Sequence, residues 1–318
     1  MNKKNILILE GGKNEEHSIS LSTAYEVKKA IYDLNYNLQT ISVDPVNFHK
    51  VIKNYHADMC FNALHGPFGE DGQIQKILYE NNIPYTHSGV RASSIAFNKY
   101  LTKRAIKNKN INYLNSNLFN NSQLNTTKLE EFFKQLGSFV LKPVASGSSY
   151  GVHIIKSLED INLFFSKSLN NKKLYENHDI LMAEPFIQGK ELTVAVIEEN
   201  GIARSVEVTE IISKNIFFDY EAKYTKGVAK HILPAKIPSN IYQMCLNNAK
   251  IIHETLGCRG VSRSDFIYNE KSEKLFFLEI NTQPGLTPFS LVPEQLNYNK
   301  IDFTKLIANL LNASLCQK

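Results

Sequence analysis

Four residues near the C-terminal end of the chain carry the sharpest chemical signal: Arg263, Asp265, Glu279 and Asn281. They fall on two runs that read as strands, Val261–Tyr268 and Leu275–Ile280, joined by a polar loop. Residues two apart on a strand share a face. Arg263 and Asp265 therefore point one way, and so do Glu279 and Asn281. The opposite face carries Phe266, Leu278 and Ile280, which suit a core. Folded symmetrically about Ser272, the hairpin sets Asp265 opposite Glu279 and Arg263 opposite Asn281. Like charges directly opposed destabilise a strand pair, and a divalent cation between them reverses that sign. Carboxylate and amide oxygens suit magnesium, which also binds substrate phosphates. On spacing alone, a metal site and a plain solvent-exposed polar face are both open.

Three further segments could handle charge. Lys142 ends the run Phe139–Pro143, just before the turn Ser146-Gly-Ser-Ser-Tyr-Gly151. Small residues let backbone N–H groups approach phosphate oxygens, and a lysine adds positive charge. No lysine follows the second glycine, so this is not the GxxxxGK[ST] phosphate loop, and an ordinary flexible turn accounts for it too. The same residues fit the G-x-S-x-G pattern of a hydrolase nucleophile elbow, with Ser149 as nucleophile. That motif needs a helix after the turn, whereas Val152–Ile155 reads as a strand. At Gly11-Gly-Lys-Asn-Glu-Glu-His-Ser-Ile-Ser20, glycines leading into a helix place backbone donors near a pocket, and Glu16 could bind an ammonium group. Phe218–Tyr224 is charged, aromatic and aperiodic, like a loop or a lid.

These residues need elements to hold them. Ile6–Leu9 is an apolar strand broken by Gly11-Gly12. Leu21, Ala24, Val27, Ala30, Ile31 and Leu34 follow at helical spacing. Leu38–Val43 and Met59–Leu64 read as further strands, and a helix starts at Gly72–Leu78. Such alternation predicts a parallel sheet wrapped by helices over residues 1–98. Residues 99–183 open with an amphipathic helix carrying Lys99 and continue to a hairpin around the glycine- and serine-rich turn. Residues 184–318 carry antiparallel signals: Thr193–Ile197 and Ala203–Val208 flank Asn200-Gly201, a hairpin dipeptide, and Ser239–Leu256 reads as a helix closed by Gly257. There is no internal repeat, and the one biased patch is Asn-rich, at Asn115–Asn125.

The bulk properties narrow the class. At 318 residues the chain exceeds the usual size of one domain, and 43% hydrophobic with 21% charged residues is ordinary for a globular protein. Its net charge of +5 is spread over short lysine pairs, with no basic tract suited to nucleic acid. The N-terminal apolar run is too short for a signal peptide, and no stretch approaches the roughly 20 apolar residues of a membrane span. Cys60, Cys245, Cys258 and Cys316 form no CxxC pair, and read as reduced cytoplasmic thiols with no zinc site.

The order of the segments says more than each alone. Gly11-Gly12 through Glu16 and Ser20, His65-Gly66 with Gly69-Glu-Asp-Gly72, Lys142-Pro143, Gly147-Ser-Ser149, Asp219-Tyr-Glu-Ala-Lys-Tyr224, Arg263-Ser-Asp265 and Glu279-Ile-Asn-Thr-Gln-Pro-Gly285 together resemble the D-alanine–D-alanine ligases. The Glu-x-Asn-x-x-Pro-Gly segment marks the wider ATP-grasp superfamily; the His-Gly…Gly-Glu-Asp-Gly and Asp-Tyr-Glu-Ala-Lys-Tyr segments are much more specific to this family.

The resemblance implies an ATP-grasp fold, mixed α/β and α+β. An N-terminal parallel α/β domain precedes two domains whose antiparallel sheets clasp ATP. It implies ATP-dependent joining of two D-alanine molecules through D-alanyl phosphate, for peptidoglycan precursor synthesis, in a cytoplasmic homodimer without nucleic-acid or membrane partners. Asp265, Glu279 and Asn281 would hold two magnesium ions, with manganese possible in their place. Lys99, Lys142 and Lys223 would neutralise phosphate. Glu184 would take the adenine amino group, Phe186 and Ile187 would line the base pocket, and Glu191 would meet the ribose. Glu16 would anchor the first ammonium group, with His65 nearby. Arg263 and the Gly285 N–H would stabilise the oxyanion. Ser290 and Leu291 would hold the second carboxylate, and Ser148 would link Glu16 to Tyr224. Ser146 and Gln283 depart from the family's usual residues at positions without an implied role. A D-alanine–D-lactate or D-alanine–D-serine ligase, and a non-catalytic nucleotide-binding protein on the same fold, are the alternatives.

Overall fold

The computed structural model describes residues 3–148, 150–166, 178–213 and 229–314. Three sheets organise them. In the first, β1 (Asn5–Gly11) lies between β2 (Asn37–Val43) and β3 (Met59–Asn62), all parallel. Helix α1 (His17–Asp33) packs on it through Ala24, Val27, Ala30 and Ile31; Leu21, on the expected apolar stripe, is 41% exposed. The short α2 (Phe48–Val51) and α3 (Gln73–Glu80) complete this region, with Phe48, Ile74 and Leu78 in the core behind β1.

Helices α4 (Val90–Phe97) and α5 (Lys99–Ala105) then lead away from the parallel sheet. Ala96 and Ile106 pack into the core beneath the C-terminal sheet. Asn98 caps α5, its side chain accepting from the Leu101 N–H.

The second sheet has the order β4 (Asn117–Asn120), β7 (Ile180–Pro185), β5 (Phe139–Pro143), β6 (His153–Ile155), with α6 (Thr126–Leu136) and α7 (Leu158–Ser166) packed beneath it. The expected hairpin is present: β5 pairs antiparallel with β6, Phe139 opposite Ile155. Phe139 and Leu141 point into that core, so alternation puts Val140 and Lys142 on the other face. Strand β7 pairs with β5 through Pro185. A division before Glu184 therefore cuts a paired strand, and this sheet ends two residues later than the sequence reading puts it.

The third sheet is antiparallel: β8 (Lys190–Glu199), β9 (Ile202–Ser213), β10 (Ala229–Ile232), β11 (Val261–Asn269) and β12 (Lys274–Asn281), in the order β10-β9-β8-β11-β12. Asn200 and Gly201, both at positive φ, turn β8 into β9 as the dipeptide predicts. Helix α8 (Ser239–Leu256) covers one face and ends on Gly257 in the left-handed conformation. Helices α9 (Leu291–Tyr298) and α10 (Phe303–Asn312) join the other face to α1 in one shared core. None of the described helices is long and apolar enough to cross a membrane.

The thiols of Cys60, Cys245 and Cys258 are free and buried. Burial pushes those of Cys245 and Cys258 up to about 12. Cys316 lies outside the described residues.

Candidate active site

The cleft lies between the second and third sheets, and the hairpin β11–β12 forms one wall. Its register is the one read from the sequence: Asp265 opposite Glu279, and Arg263 opposite Asn281. Beyond that pair it slips by a β-bulge, so that Phe266 meets Phe277. Phe277 takes the core place expected for Leu278 and stacks edge-on against Phe266 at 5.8 Å. Leu278 turns instead into the cleft, beside Glu279.

The opposed carboxylates are not left repelling each other. Arg263 Nε and one terminal nitrogen donate to the two Asp265 oxygens at 3.0 and 2.9 Å, and Thr193 Oγ1 donates to Asp265 Oδ1 at 2.6 Å. Lys99 Nζ stands 3.1 Å from Glu279 Oε2. Side-chain cations thus already balance the repulsion that pointed to a metal. Among the described residues no three His, Cys, Asp or Glu side chains gather at one point; the set here is two carboxylates and the Asn281 amide. These hard oxygen donors line the place where two pockets meet, and their chemistry fits a divalent cation that also binds phosphate.

The first pocket is mainly apolar. Val140, Ile154, Phe186, Ile187, Leu192, Ile211 and Leu278 line it, with Lys99, Lys142, Glu184 and Glu191. Glu184 is buried in its wall on β7 and is clamped on both oxygens. Oε1 takes Lys103 and the Ser116 hydroxyl (2.6 Å), and Oε2 lies 2.9 Å from Lys142 Nζ. Burial, then the nearby Lys99, lowers the Lys142 ammonium to about 8. Lys103 was not singled out from the sequence. The available signal was its spacing: it stands four residues after Lys99, on the same face of α5.

The second pocket is polar and draws on all three sheets: Glu16, His65, Glu70, Lys99, Ser148, Arg263, Glu279, Asn281 and Gly285. Ser148 donates to Glu16 Oε1. Gly66 has φ +74°, and a Cβ there would lie 2.5 Å from Glu16 Oε2, so the fit of this carboxylate depends on the glycine. His65 contacts Thr23 Oγ1 (2.9 Å), the Gln283 carbonyl (3.1 Å) and Glu70 Oε1 (3.4 Å). Burial raises the Glu70 carboxyl; His65 opposes this and Glu16 adds to it. Gln283, a departure without an implied role, is buried here. Its amide donates to the Asn62 carbonyl, and its N–H donates to Asn281 Oδ1 at 2.7 Å, tying β3 to the end of β12.

Other expected residues fall differently. Ser290 and Leu291 line neither pocket; Ser290 precedes α9 and its Oγ bonds Thr287. Ser290 abuts Gly285, where a Cβ would come 2.7 Å from Ser290 Oγ, and Leu291 is buried at the start of α9. Ser149, Lys223, Tyr224 and the whole Phe218–Tyr224 segment lie outside the described residues. A strand follows Gly151, so the turn lacks the helix of a nucleophile elbow.

The likenesses to known proteins agree with this geometry. The family model for the D-ala D-ala ligase C-terminus matches residues 105–312, and that for the N-terminus matches residues 46–88. The D-alanine–D-alanine ligase of Wolbachia pipientis wMel is 43% identical over 314 residues, covering 98% of this chain and 95% of that protein. That of Zymomonas mobilis is 40% identical over 318 residues, covering 99% and 95%. Among solved structures, D-alanyl-alanine synthetase A of Vibrio cholerae superposes with a TM-score of 0.83 at 24% identity, covering 99% of both chains. A D-Ala:D-Ser ligase of Enterococcus faecalis superposes at 0.79 with 24% identity over 99% of this chain and 100% of that one, so the fold by itself leaves the second substrate open. Identity above 40% over nearly the full length decides it: this chain belongs to the D-alanine–D-alanine ligase family.

Proposed function

We propose that the protein joins two D-alanine molecules into D-alanyl-D-alanine for peptidoglycan precursor synthesis, converting ATP to ADP and phosphate. The observation that carries this is the polar pocket. A carboxylate suited to an ammonium group (Glu16), cations suited to phosphate and oxyanion (Lys99, Arg263) and a backbone donor (Gly285) face one another around one small space. The apolar pocket opens beside it and takes the nucleotide base.

In the reaction the carboxylate of the first D-alanine attacks the γ-phosphorus of ATP, releasing ADP and forming D-alanyl phosphate. The amine of the second attacks the acyl carbon, and phosphate leaves. Glu16, held by Ser148, anchors the first ammonium group, with His65 beside it. Arg263 and the Gly285 N–H meet the oxyanion. Arg263 reaches the site already oriented by Asp265, so its charge is in place before the negative charge develops. Lys99 and Lys142 meet the phosphates, with Lys223 added from its own segment. Glu184, Phe186, Ile187 and Glu191 take the base and ribose. Ser290, beside Gly285, and Leu291 hold the second carboxylate, and Tyr224 closes on Ser148. Asp265, Glu279 and Asn281 would hold magnesium, or manganese, which supplies charge neutralisation to the phosphates. The enzyme works in the cytoplasm as a homodimer, as its family resemblance implies.

The test is phosphate release from ATP with D-alanine, L-alanine, D-lactate and D-serine, each supplied alone and together with D-alanine. Release with D-alanine alone and none with L-alanine is expected. Release that needs D-serine or D-lactate would move the assignment to that ligase type.

A further inference from the structure

Lys103 has no place in the reaction above, yet it is among the most enclosed charged side chains of the cleft wall, at 3% exposure. It is not part of the pocket lining. Its ammonium donates to Glu184 Oε1 and to the Leu114 carbonyl at 3.3 Å. Ser116 donates to the same Oε1, while Oε2 faces Lys142, which does line the cleft. Oε1 is thus fixed from behind, and Oε2 is the oxygen turned toward the pocket.

We propose that Lys103 is a positioning residue for base selection: it holds Glu184 ionised, with Oε2 presented to the pocket, so that the site takes a 6-amino purine and refuses a 6-oxo purine. This rests on the reading of the apolar pocket as the base site. An ionised carboxylate only accepts hydrogen bonds. It matches an amino group and repels a carbonyl oxygen. Lys142 cannot keep Glu184 ionised during turnover, because its own proposed partner is phosphate. Lys103, sealed from the cleft, stays. Burial, then Lys142 and Lys99, pushes the Lys103 ammonium down and Glu279 opposes this; the Glu184 carboxylate in direct contact favours the charged form. A buried pair of this kind adds little stability, because desolvating both charges offsets their attraction; what it supplies is orientation. With Lys103 removed, the buried Glu184 takes up a proton more readily and can donate to a 6-oxo group.

The experiment measures kcat and KM for ATP and for inosine triphosphate in the wild-type enzyme, Lys103→Met and Glu184→Gln. Lys103→Met should lower the ATP-over-inosine preference at least about tenfold, with kcat at saturating ATP held within about threefold. A purely structural lysine would not move the preference. Should Lys103→Met not fold, Lys103→Gln keeps a donor of similar reach without the charge and carries the same expectations. An unchanged preference in either folded variant, with Glu184→Gln altered, overturns the proposal alone. If Glu184→Gln itself changes neither the KM for ATP nor the preference, the base-site reading falls and the proposal with it.

Discussion

The two pockets of the cleft share a wall but are built on opposite principles. The base pocket comes from the facing sides of two antiparallel sheets, mostly aliphatic and aromatic, with one buried carboxylate clamped on both oxygens. The polar pocket is assembled from loops and strand ends of three sheets, and few of its side chains are apolar. The first can hold a ligand equally well throughout a reaction. The second has donors aimed at charge that appears only during it. Substitutions in the base pocket should therefore act on KM, and those in the polar pocket on kcat.

The largest effect should come at the seam. Glu279→Gln removes a proposed metal ligand and the partner of Lys99, and should cost several kcal/mol of transition-state stabilisation, roughly a thousandfold in kcat. Full activity in excess chelator would remove the metal from the account. Next comes Arg263→Ala: a lost oxyanion donor costs about 2.7–4 kcal/mol, so kcat should fall about 100- to 1000-fold with ATP binding little changed. Equal losses in both would make Arg263 a ground-state ligand and erase the contrast between the pockets.

Acid should act on the wall behind the polar pocket. His87 is buried, its Nε2 has no hydrogen-bond partner, and burial, then His65 and Arg259, lowers it to about 3. The unfolded chain takes up this proton near pH 6.5 and the folded one does not. The stabilisation is therefore complete above about 6.5 and is lost as pH falls toward 3, amounting to about 2 kcal/mol by pH 5. Urea melts at pH 7 and 5 should show that loss, and His87→Gln should flatten it; parallel slopes would contradict it.

The smallest effect belongs to the base pocket. Phe186 is half-buried at its rim, with the Lys156 ammonium 4.7 Å above the ring. Phe186→Leu should raise the KM for ATP several-fold, from a partial loss of contact area, and leave kcat unchanged. A fall in kcat would show that the base pocket also serves the chemistry.

Much of this was legible in the chain. Alternation together with folding about Ser272 puts Asp265 opposite Glu279, and Asn200-Gly201 marks the turn from β8 to β9. The bulge after Asp265 is not legible, because one unpaired residue leaves no mark on apolar spacing, and unbroken alternation therefore puts Leu278 in the core. Strand β4 was missed because Asn117–Asn120 is rich in a residue that disfavours strands and is held there by pairing with β7. Lys103 looks like a surface lysine until the fold buries it, and Gln283, visible as a departure from the family's usual residue, shows its tie to β3 only in the fold. Their partners, Glu184 and Asn62, lie far off in sequence.

Above all, the polar pocket should activate a carboxylate by phosphorylation before the peptide bond forms. Turnover with D-alanine carrying oxygen-18 in its carboxyl group tests it most directly. Each dipeptide formed should send one labelled oxygen into inorganic phosphate and none into ADP. Unlabelled phosphate would mean that water attacks ATP, label in AMP would mean an adenylate, and either result would contradict the acyl-phosphate route.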